Sequence, residues 1–265
     1  MYLHDRSTYR RIGERTGLSS SAILRYVQCE LDGLEFINLR RPSGVVLMDG
    51  KALSIRGKQF CEYLIWDTAI GLIARRLCPG KESGKIYGQL IDALAQQGIH
   101  ITAATTDGLP GFRRILDARG IIQQRCHVHL LRELRTGLQL TLRHRHKRQT
   151  QGNRQKRLLH GYARLFLQAK PETWDARERH CVRHLDHNVF GLNPIQFQAY
   201  QRFMFSAKRA FQHYFEDPRI PPTTNKVELY IHHFAARLAT MNGFKNAENA
   251  NRILIAIHTN LLFKN

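Results

Sequence analysis

The chain has 265 residues with a hydrophobic fraction of 43%, and 41 lysines and arginines oppose 21 aspartates and glutamates. That hydrophobic fraction excludes a disordered protein, and the net charge of +20 indicates a polyanionic partner, since each neutralised phosphate releases condensed counterions. Nucleic acid is the first candidate. An anionic membrane surface is the alternative, but no amphipathic basic helix or apolar stretch of membrane-spanning length occurs. Because the N-terminus lacks the apolar segment of a signal peptide, we expect a cytoplasmic, nucleoid-associated protein.

Residues 7–28 predict two short helices around a turn at Gly17. Ser19 or Ser20 can cap the second helix, which exposes Arg25. This is the outline of a helix-turn-helix, whose second helix enters the major groove of DNA. The same outline also occurs in proteins that do not bind DNA. We expect a DNA-binding module with its linker over residues 1–40, in which Arg25 contacts DNA.

The next segment alternates apolar runs with glycine-containing breaks. Three closely spaced runs predict an antiparallel meander: GVVLMD (44–49), FCEYLIWDT (60–68) and LIARRLC (72–78). An amphipathic helix over 83–97 follows, then the strand ITAATT, a short helix ended by Gly120, and the strand IIQQRC. The predicted order is β-β-β-α-β-α-β, and its strand–helix–strand portion implies parallel pairing.

Beyond residue 130 the strand patterns stop and helical patterns follow, near 155–169, 194–215, 224–240 and 246–263. The stretch 142–157 holds seven lysines or arginines and no acid, so it cannot form a core. It is a phosphate-binding surface, a solvated face or a mobile loop. We favour phosphate contact, with four residues as DNA ligands: Arg143, Arg145, Lys147 and Arg148.

Three acidic residues are the candidate chemistry. Asp49 ends the run GVVLMD and Asp107 ends ITAATTD, so each is predicted where a buried strand ends, whereas Glu228 is predicted in the first turns of a helix opened by Thr223 or Thr224. If the three carboxylates converge, they can hold two Mg²⁺ ions, for which Mn²⁺ can substitute, for phosphodiester chemistry.

The neighbours of the two aspartates also fit a phosphate substrate. Gly50 and Gly108 directly follow the acids, and their small size is expected to leave room for a phosphate. Lys51 and Arg125 are candidates to bind substrate phosphates. The alternative for each acid is a role without chemistry, as a turn cap or as an exposed carboxylate on a helix.

A C-x-x-H pair, Cys126 and His129, follows the fifth predicted strand. It can bind zinc if His144, His146 or Cys181 completes the ligand set, although a second close-spaced pair is missing. The alternatives are a structural role, in which a buried thiol accompanies a histidine that orients a catalytic carboxylate, and a role next to DNA.

Four motifs together resemble the DDE transposases of bacterial insertion sequences, in the broad Mutator-like group. They are LMDGKAL around Asp49, TTDGLPGF around Asp107, QQRCHVHL, and TTNKVE around Glu228, and the ending GFKNAENANRILIAIHTNLLF is also similar. The resemblance covers nearly the whole chain. It implies an α/β fold, an RNase H-like mixed five-stranded sheet with helices that is interrupted by an all-helical insertion, in addition to the small N-terminal helix-turn-helix.

The resemblance also implies domains and roles. The catalytic domain is expected over 41–130 and 221–265 and the insertion over 131–220. Asp49, Asp107 and Glu228 would be the metal ligands of an enzyme that cleaves element ends and joins the freed 3′-hydroxyl to target DNA, as a homo-oligomer on DNA. Trp174 of the insertion is either a base-stacking residue or a core residue. The competing hypotheses are a non-catalytic DNA-binding protein, such as a domesticated or inactive remnant, and a nuclease of the same fold.

Overall fold

In a computed structural model, the described residues are 9–32, 41–140, 151–186, 190–205, 212–239, 244 and 246–262. Contacts divide the chain into two units, Met1–Ile101 with Asn225–Asn265, and Thr102–Thr224. The described part contains five strands, β1 (Val45–Ile55), β2 (Lys58–Asp67), β3 (Gly71–Pro79), β4 (Ala103–Thr106) and β5 (Ile122–Arg125). Its helices are α1 (Tyr9–Thr16), α2 (Ser20–Asp32), α3 (Gly84–Gln96), α4 (Phe112–Asp117), α5 (His127–Gly137), α6 (Gln151–Leu167), α7 (Pro171–Asp186), α8 (Pro194–Phe205), α9 (His213–Glu216), α10 (Asn225–Leu238) and α11 (Ala247–Leu262).

The strands form a five-stranded mixed sheet in the order β3-β2-β1-β4-β5. β1, β2 and β3 pair antiparallel, whereas β4 and β5 pair parallel. The predicted order of strands and helices and the α/β class are therefore confirmed, and the sheet is RNase H-like. The domain boundaries remain a prediction.

β1 is longer than the sequence indicated. It continues past Asp49 to Ile55 and pairs with β2 along its whole length. A tight turn at Arg56 and Gly57, both with positive φ, joins the two strands, as two-residue hairpin turns require. The prediction that Asp49 ends a strand is thus wrong, because the less apolar segment after Asp49 forms the partly exposed half of a hairpin.

Helix α3 begins where the sequence predicts. The Ser83 hydroxyl accepts a hydrogen bond from the Lys85 N–H at 3.3 Å, which supplies one of the partners that a helix N-terminus lacks. The buried face of α3 includes Tyr87, Leu90 and Leu94, with the spacing of an amphipathic helix.

Helices α1 and α2 confirm the two-helix pattern at the N-terminus. Gly17 has φ +71° between them, and the Ser19 hydroxyl accepts the Ala22 N–H at 3.1 Å at the start of α2. Arg25 is exposed on α2. Among the helices in the described ranges, none is long and apolar enough to cross a membrane.

The second unit joins the short parallel pair β4 and β5 to helices α4–α9. Its core is apolar and rich in aromatic side chains: Leu130, Leu134, Leu138, Leu159, Ala163, Phe166, Leu167, Ala169, Trp174, Cys181, Phe190, Leu192, Tyr200, Phe203 and Met204. Trp174 is 4% exposed and its ring contacts Phe166 and Phe215 at centroid distances of 4.2 and 5.3 Å. Of the two roles considered for Trp174, the structure therefore places it in the core.

Candidate metal-binding and DNA-binding site

Asp49 lies on the face of the meander that is covered by the C-terminal helices. Side chains two apart in a strand share a face, so Asp49 shares its face with Leu47, which is fully buried. Leu47 belongs to one apolar cluster with Val227, Tyr230 and other residues of α10 and α11. Asp49 itself is partly buried, and its Oδ1 accepts the Gly50 N–H at 2.8 Å.

Glu228 is brought to that same face. It occupies the first turn of α10, where the helix dipole favours a negative charge. Its neighbour Val227 is fully buried in the cluster that contains Leu47. The helix that carries Glu228 therefore packs on the Asp49 side of β1, as a shared role for the two carboxylates requires.

A buried polar network fixes α10 and α11 on the meander. Glu62 of β2 is bound by both Nε and Nη2 of Arg75 at 2.5 and 2.8 Å. His258 lies 3.2 Å from Glu62, and the Tyr230 hydroxyl lies 2.6 Å from the other His258 ring nitrogen. Arg75 also donates to Asn251 at 2.7 Å.

The hydrogen-bond partners in this network indicate which ring nitrogen of His258 carries the proton. The tyrosine hydroxyl donates to Nδ1 of His258, and Nε2–H of His258 donates to the Glu62 carboxylate, which is the neutral imidazole tautomer. Tyr230 lies two residues from Glu228 on α10, so the network sets the depth and rotation of the helix that carries the third acid. The only feature of the sequence that indicates this network is a charged residue, Glu62, in a strand segment that is buried on both faces.

The network makes the fold sensitive to acid. Burial lowers the pKa of His258 below its ordinary value, although its bond to Glu62 opposes this, and Arg75 lowers the pKa of Glu62 despite the desolvation of that carboxyl. Both groups bind protons more weakly in the folded state than in the unfolded state. The contribution of the network to the free energy of unfolding is therefore fully present above about pH 6.5 and is lost as the pH falls below it. We expect the free energy of unfolding, measured with urea, to decrease from about pH 7 to pH 5.

Two histidine variants identify the source of this slope. His258→Gln lowers stability at neutral pH but flattens the pH dependence, whereas His232→Gln, on the exposed side of α10, leaves the slope unchanged. A slope in His258→Gln as steep as in the parent protein would assign the acid sensitivity to other groups.

Asp107 directly follows β4, as predicted. Its Oδ1 accepts the Leu109 N–H at 3.0 Å, which closes a tight turn at the end of the strand, and the side chain stays partly buried. The preceding residues Thr105 and Thr106 are fully buried, and the Thr105 hydroxyl donates to the Pro221 carbonyl at 2.6 Å. The Asp107 backbone is thus well anchored.

The spaces beside the two glycines are not open, contrary to expectation. A Cβ at Gly50 would lie 2.6 Å from Oε1 of Glu82, a carboxylate that also accepts the Tyr87 hydroxyl at 2.7 Å. A Cβ at Gly108 would overlap the side chains of Arg125 and Glu133. At both positions the ends of neighbouring charged side chains occupy the volume of a Cβ, and they would have to move to admit one.

Cys126 and His129 lie together at the start of α5. Cys126 is fully buried, and its sulfur accepts the Thr224 N–H and hydroxyl at 3.4 and 3.2 Å. Burial alone would raise the pKa of the Cys126 thiol, but the hydrogen bonds from His129 and Thr224 outweigh it and lower that pKa. Cys181 instead lies in the helical core with its sulfur 4.0 Å from the Tyr162 carbonyl, while His144 and His146 lie outside the described residues.

Of the basic residues predicted to contact DNA, two lie in the described part of the chain and four do not. Lys51 lies on β1 opposite Glu62, on the face that carries Asp49, and Arg25 is exposed on α2. The other four fall outside the described residues: Arg143, Arg145, Lys147 and Arg148.

Comparison with known proteins identifies the chain. The model of the family described as "Transposase IS66 family" matches residues 87–252, more than half of the chain, a range that includes Asp107, Cys126, His129 and Glu228 but begins after Asp49. The RNase H-like sheet and this match define the class, a transposase of the DDE type. The chain belongs to the IS66 transposase family. The Mutator-like group suggested by the motifs is not confirmed, because IS66 is a different family.

Two solved structures, one of a viral integrase core and one of a viral intasome, are distantly similar to this chain. The magnesium-bound catalytic core of HTLV-2 integrase in its dimeric form has 16% identity over 36% of this chain and 74% of that chain, with a TM-score of 0.27. A chain in the structure of the simian T-cell lymphotropic virus intasome in complex with PP2A regulatory subunit B56 gamma has 11% identity over 76% of this chain and 66% of that chain, with a TM-score of 0.27. A search of curated proteins gives no significant match. The identification therefore rests on the family model.

Proposed function

We propose that the protein cleaves DNA at the ends of a bacterial insertion sequence and transfers the freed 3′-hydroxyl into target DNA, with Asp49, Asp107 and Glu228 as metal ligands. The observation that carries the proposal is the packing of α10, with Glu228 in its first turn, on the face of β1 that holds Asp49. The family match includes Asp107 and Glu228 and supports the same assignment. Convergence of all three carboxylates on one metal centre is part of the proposal.

The donor set fits magnesium. Carboxylate oxygens are the ligands that Mg²⁺ prefers, and three acids on rigid elements offset part of the charge of two ions while leaving positions for water and phosphate oxygens. When bound, the two ions would lower the pKa of the attacking water or hydroxyl and stabilise the leaving oxygen. Mn²⁺ has the same oxygen preference and can substitute.

The proposed reaction consists of two displacements at phosphorus. In cleavage, a water oxygen bonds to phosphorus and the bond from phosphorus to the 3′-oxygen breaks, giving a 3′-hydroxyl and a 5′-phosphate. In transfer, that 3′-hydroxyl attacks a target phosphodiester and displaces the target's own 3′-oxygen, so the number of ester bonds is conserved. Lys51 lies on the Asp49 face and would bind a substrate phosphate.

The remaining assignments follow from the same proposal. A homo-oligomer would hold two element ends, with Arg25 of the helix-turn-helix contacting DNA in the cytoplasm. Cys126 and His129, hydrogen-bonded at the start of α5, would serve a structural role or one next to DNA. Residues 41–130 with 221–265 would form the catalytic domain, and 131–220 the helical insertion.

A cleavage assay tests the proposal. Sequencing the DNA that flanks the gene identifies inverted repeats, and labelled duplexes that end in these repeats serve as substrate. We expect nicking at the repeat end and joined products with Mg²⁺ or Mn²⁺, and loss of both with EDTA.

The assay also separates the alternatives. Binding of the repeat ends without metal-dependent nicking would support a non-catalytic DNA-binding protein and contradict the proposal. Nicking without joined products would support a nuclease of the same fold.

A further inference from the structure

Arg125 lies beside the turn that carries Asp107. It is the last residue of β5, and in the parallel pair it is the partner of Thr106, which directly precedes Asp107. Gly108, which follows Asp107, leaves the volume into which the side chains of Arg125 and Glu133 extend. The absence of a side chain at residue 108 therefore leaves room for the guanidinium to lie against the Asp107 turn.

Of the two nitrogens on one edge of the Arg125 guanidinium, Nε and Nη2, only Nη2 has a hydrogen-bond partner in the described part of the chain. Its Nη2 donates to Glu133 at 2.9 Å, but its Nε is buried and has no hydrogen-bond partner in the described part of the chain. Nε and Nη2 form one edge of the guanidinium and can together bind two oxygens of an anion. Arg75 of the same chain shows the full arrangement, since both of these atoms bind Glu62.

Glu133 is a weak partner for Arg125. Its side chain is 56% exposed, whereas that of Arg125 is 17% exposed, so the carboxylate keeps much of its hydration and the pair is partly screened. An anion that reaches both Nε and Nη2 would satisfy the buried nitrogen that Glu133 leaves without a partner.

Space for such an anion exists next to the pair. Arg125 and Glu133 line a pocket of about 260 Å³ between α5 and α8, whose other lining residues are apolar side chains, a glycine and Arg202. Arg202 adds a second positive charge at this pocket, and its Nη2 donates to Gln198 at 2.9 Å. The two arginines outnumber the one acid, which favours an anionic ligand.

We propose that Arg125 binds a backbone phosphate of DNA through Nε and Nη2 beside Asp107, and that Glu133 holds the guanidinium until this phosphate displaces the Glu133 carboxylate. The proposal rests on the proposed function for the identity of the ligand. It adds a positioning contact for the strand that enters the Asp107 turn, and it gives Glu133 the role of a competitor with DNA.

Salt-dependent DNA binding in EDTA tests the proposal without any cleavage. The full chain is titrated against a fluorescein-labelled duplex at several salt concentrations. Arg125→Ala is expected to reduce the slope of log affinity against log salt by about one, the loss of one phosphate contact. The matched control is Arg113→Ala, an exposed arginine of α4 that is ion-paired with Asp117 at 3.5 Å, and it should change the slope much less.

Glu133→Gln gives an independent arm, since its exposed side chain can be replaced without disturbing the core. It should tighten DNA binding up to about fivefold, the value of an exposed ion pair, and the gain should vanish when Arg125→Ala is also present. Equal slopes for Arg125→Ala and the parent, or a Glu133→Gln gain that persists without Arg125, would overturn the proposal.

A last arm separates DNA phosphate from free phosphate. Inorganic phosphate at matched ionic strength should not remove the difference between parent and Arg125→Ala, and removal at millimolar phosphate would identify the free anion as the ligand and contradict the proposal. Because no metal is present, these outcomes do not depend on cleavage. A protein that nicks DNA but shows no Arg125 effect therefore disproves the phosphate contact alone.

Discussion

Replacing any of the three acids by its amide is expected to abolish metal-dependent strand cleavage while DNA binding persists. Asp49→Asn, Asp107→Asn and Glu228→Gln each keep the size of the side chain but remove the negative charge that would offset the metal ions. Metal stabilisation of the transition state is worth several kcal/mol, so the cleavage rate should fall on the order of 10³-fold or more. The rate is measured with saturating repeat-end DNA and Mg²⁺.

The control for these variants is Asp117→Asn. Asp117 is an exposed acid at the end of α4 with an ion pair to Arg113, and its loss changes the total charge by the same amount. It should cleave at the parent rate. A folded amide variant of Asp49, Asp107 or Glu228 that cleaves as fast as Asp117→Asn would remove that residue from the metal site.

Glu62→Ala is expected to destabilise the protein more than any surface change. It leaves the Arg75 guanidinium buried without its carboxylate, and it removes the acceptor of His258. Breaking a buried ion pair in this way costs about 3–5 kcal/mol. Urea unfolding followed by circular dichroism measures the loss, and the cleavage rate should fall with it because α10 loses its support.

Glu248→Ala is the matched control in the same unit. Glu248 pairs with Arg252 at 2.7 Å on α11, but its side chain is 72% exposed, and such pairs contribute less than about 1 kcal/mol. If Glu62→Ala unfolds at the same urea concentration as Glu248→Ala, the buried network does not hold α10 and α11.

Much of the fold could be predicted because local patterns agree with it. Ser83 and Ser19 cap helices at the predicted places, and the apolar runs of the meander became β1, β2 and β3. The end of β1 was mistaken because Gly50 and Lys51 directly after Asp49 resemble a turn. The strand continues to Ile55 because its backbone pairs with β2 along the hairpin, and this pairing depends on residues outside β1.

Helix α7 was missed for a related reason. Its buried side chains include Trp174 and Cys181, one on each side of a highly charged stretch, so the apolar stripe is too narrow to stand out. Pro171 at its first position was the available signal, since proline is favoured there. The helical aromatic pattern near 194–215 proved to be two helices, α8 and the short α9.

In the candidate site too, one part could be predicted from the sequence and another could not. Asp107 could be placed from the sequence because a strand end is a local feature. The support of Glu228 could not, since it depends on Glu62, Arg75 and His258, which are far apart in the chain and meet only in the folded unit. A charged residue within a doubly buried strand is the sign that such a network exists.

Diffraction from crystals soaked in Mn²⁺ tests the central claim most directly, because the anomalous signal locates the ions without reference to activity. The account predicts Mn²⁺ bound by Asp49, Asp107 and Glu228, with carboxylate oxygens at about 2.1 Å, and loss of the signal in Asp107→Asn. Mn²⁺ that binds elsewhere, in a protein whose cleavage depends on Mn²⁺, would contradict it.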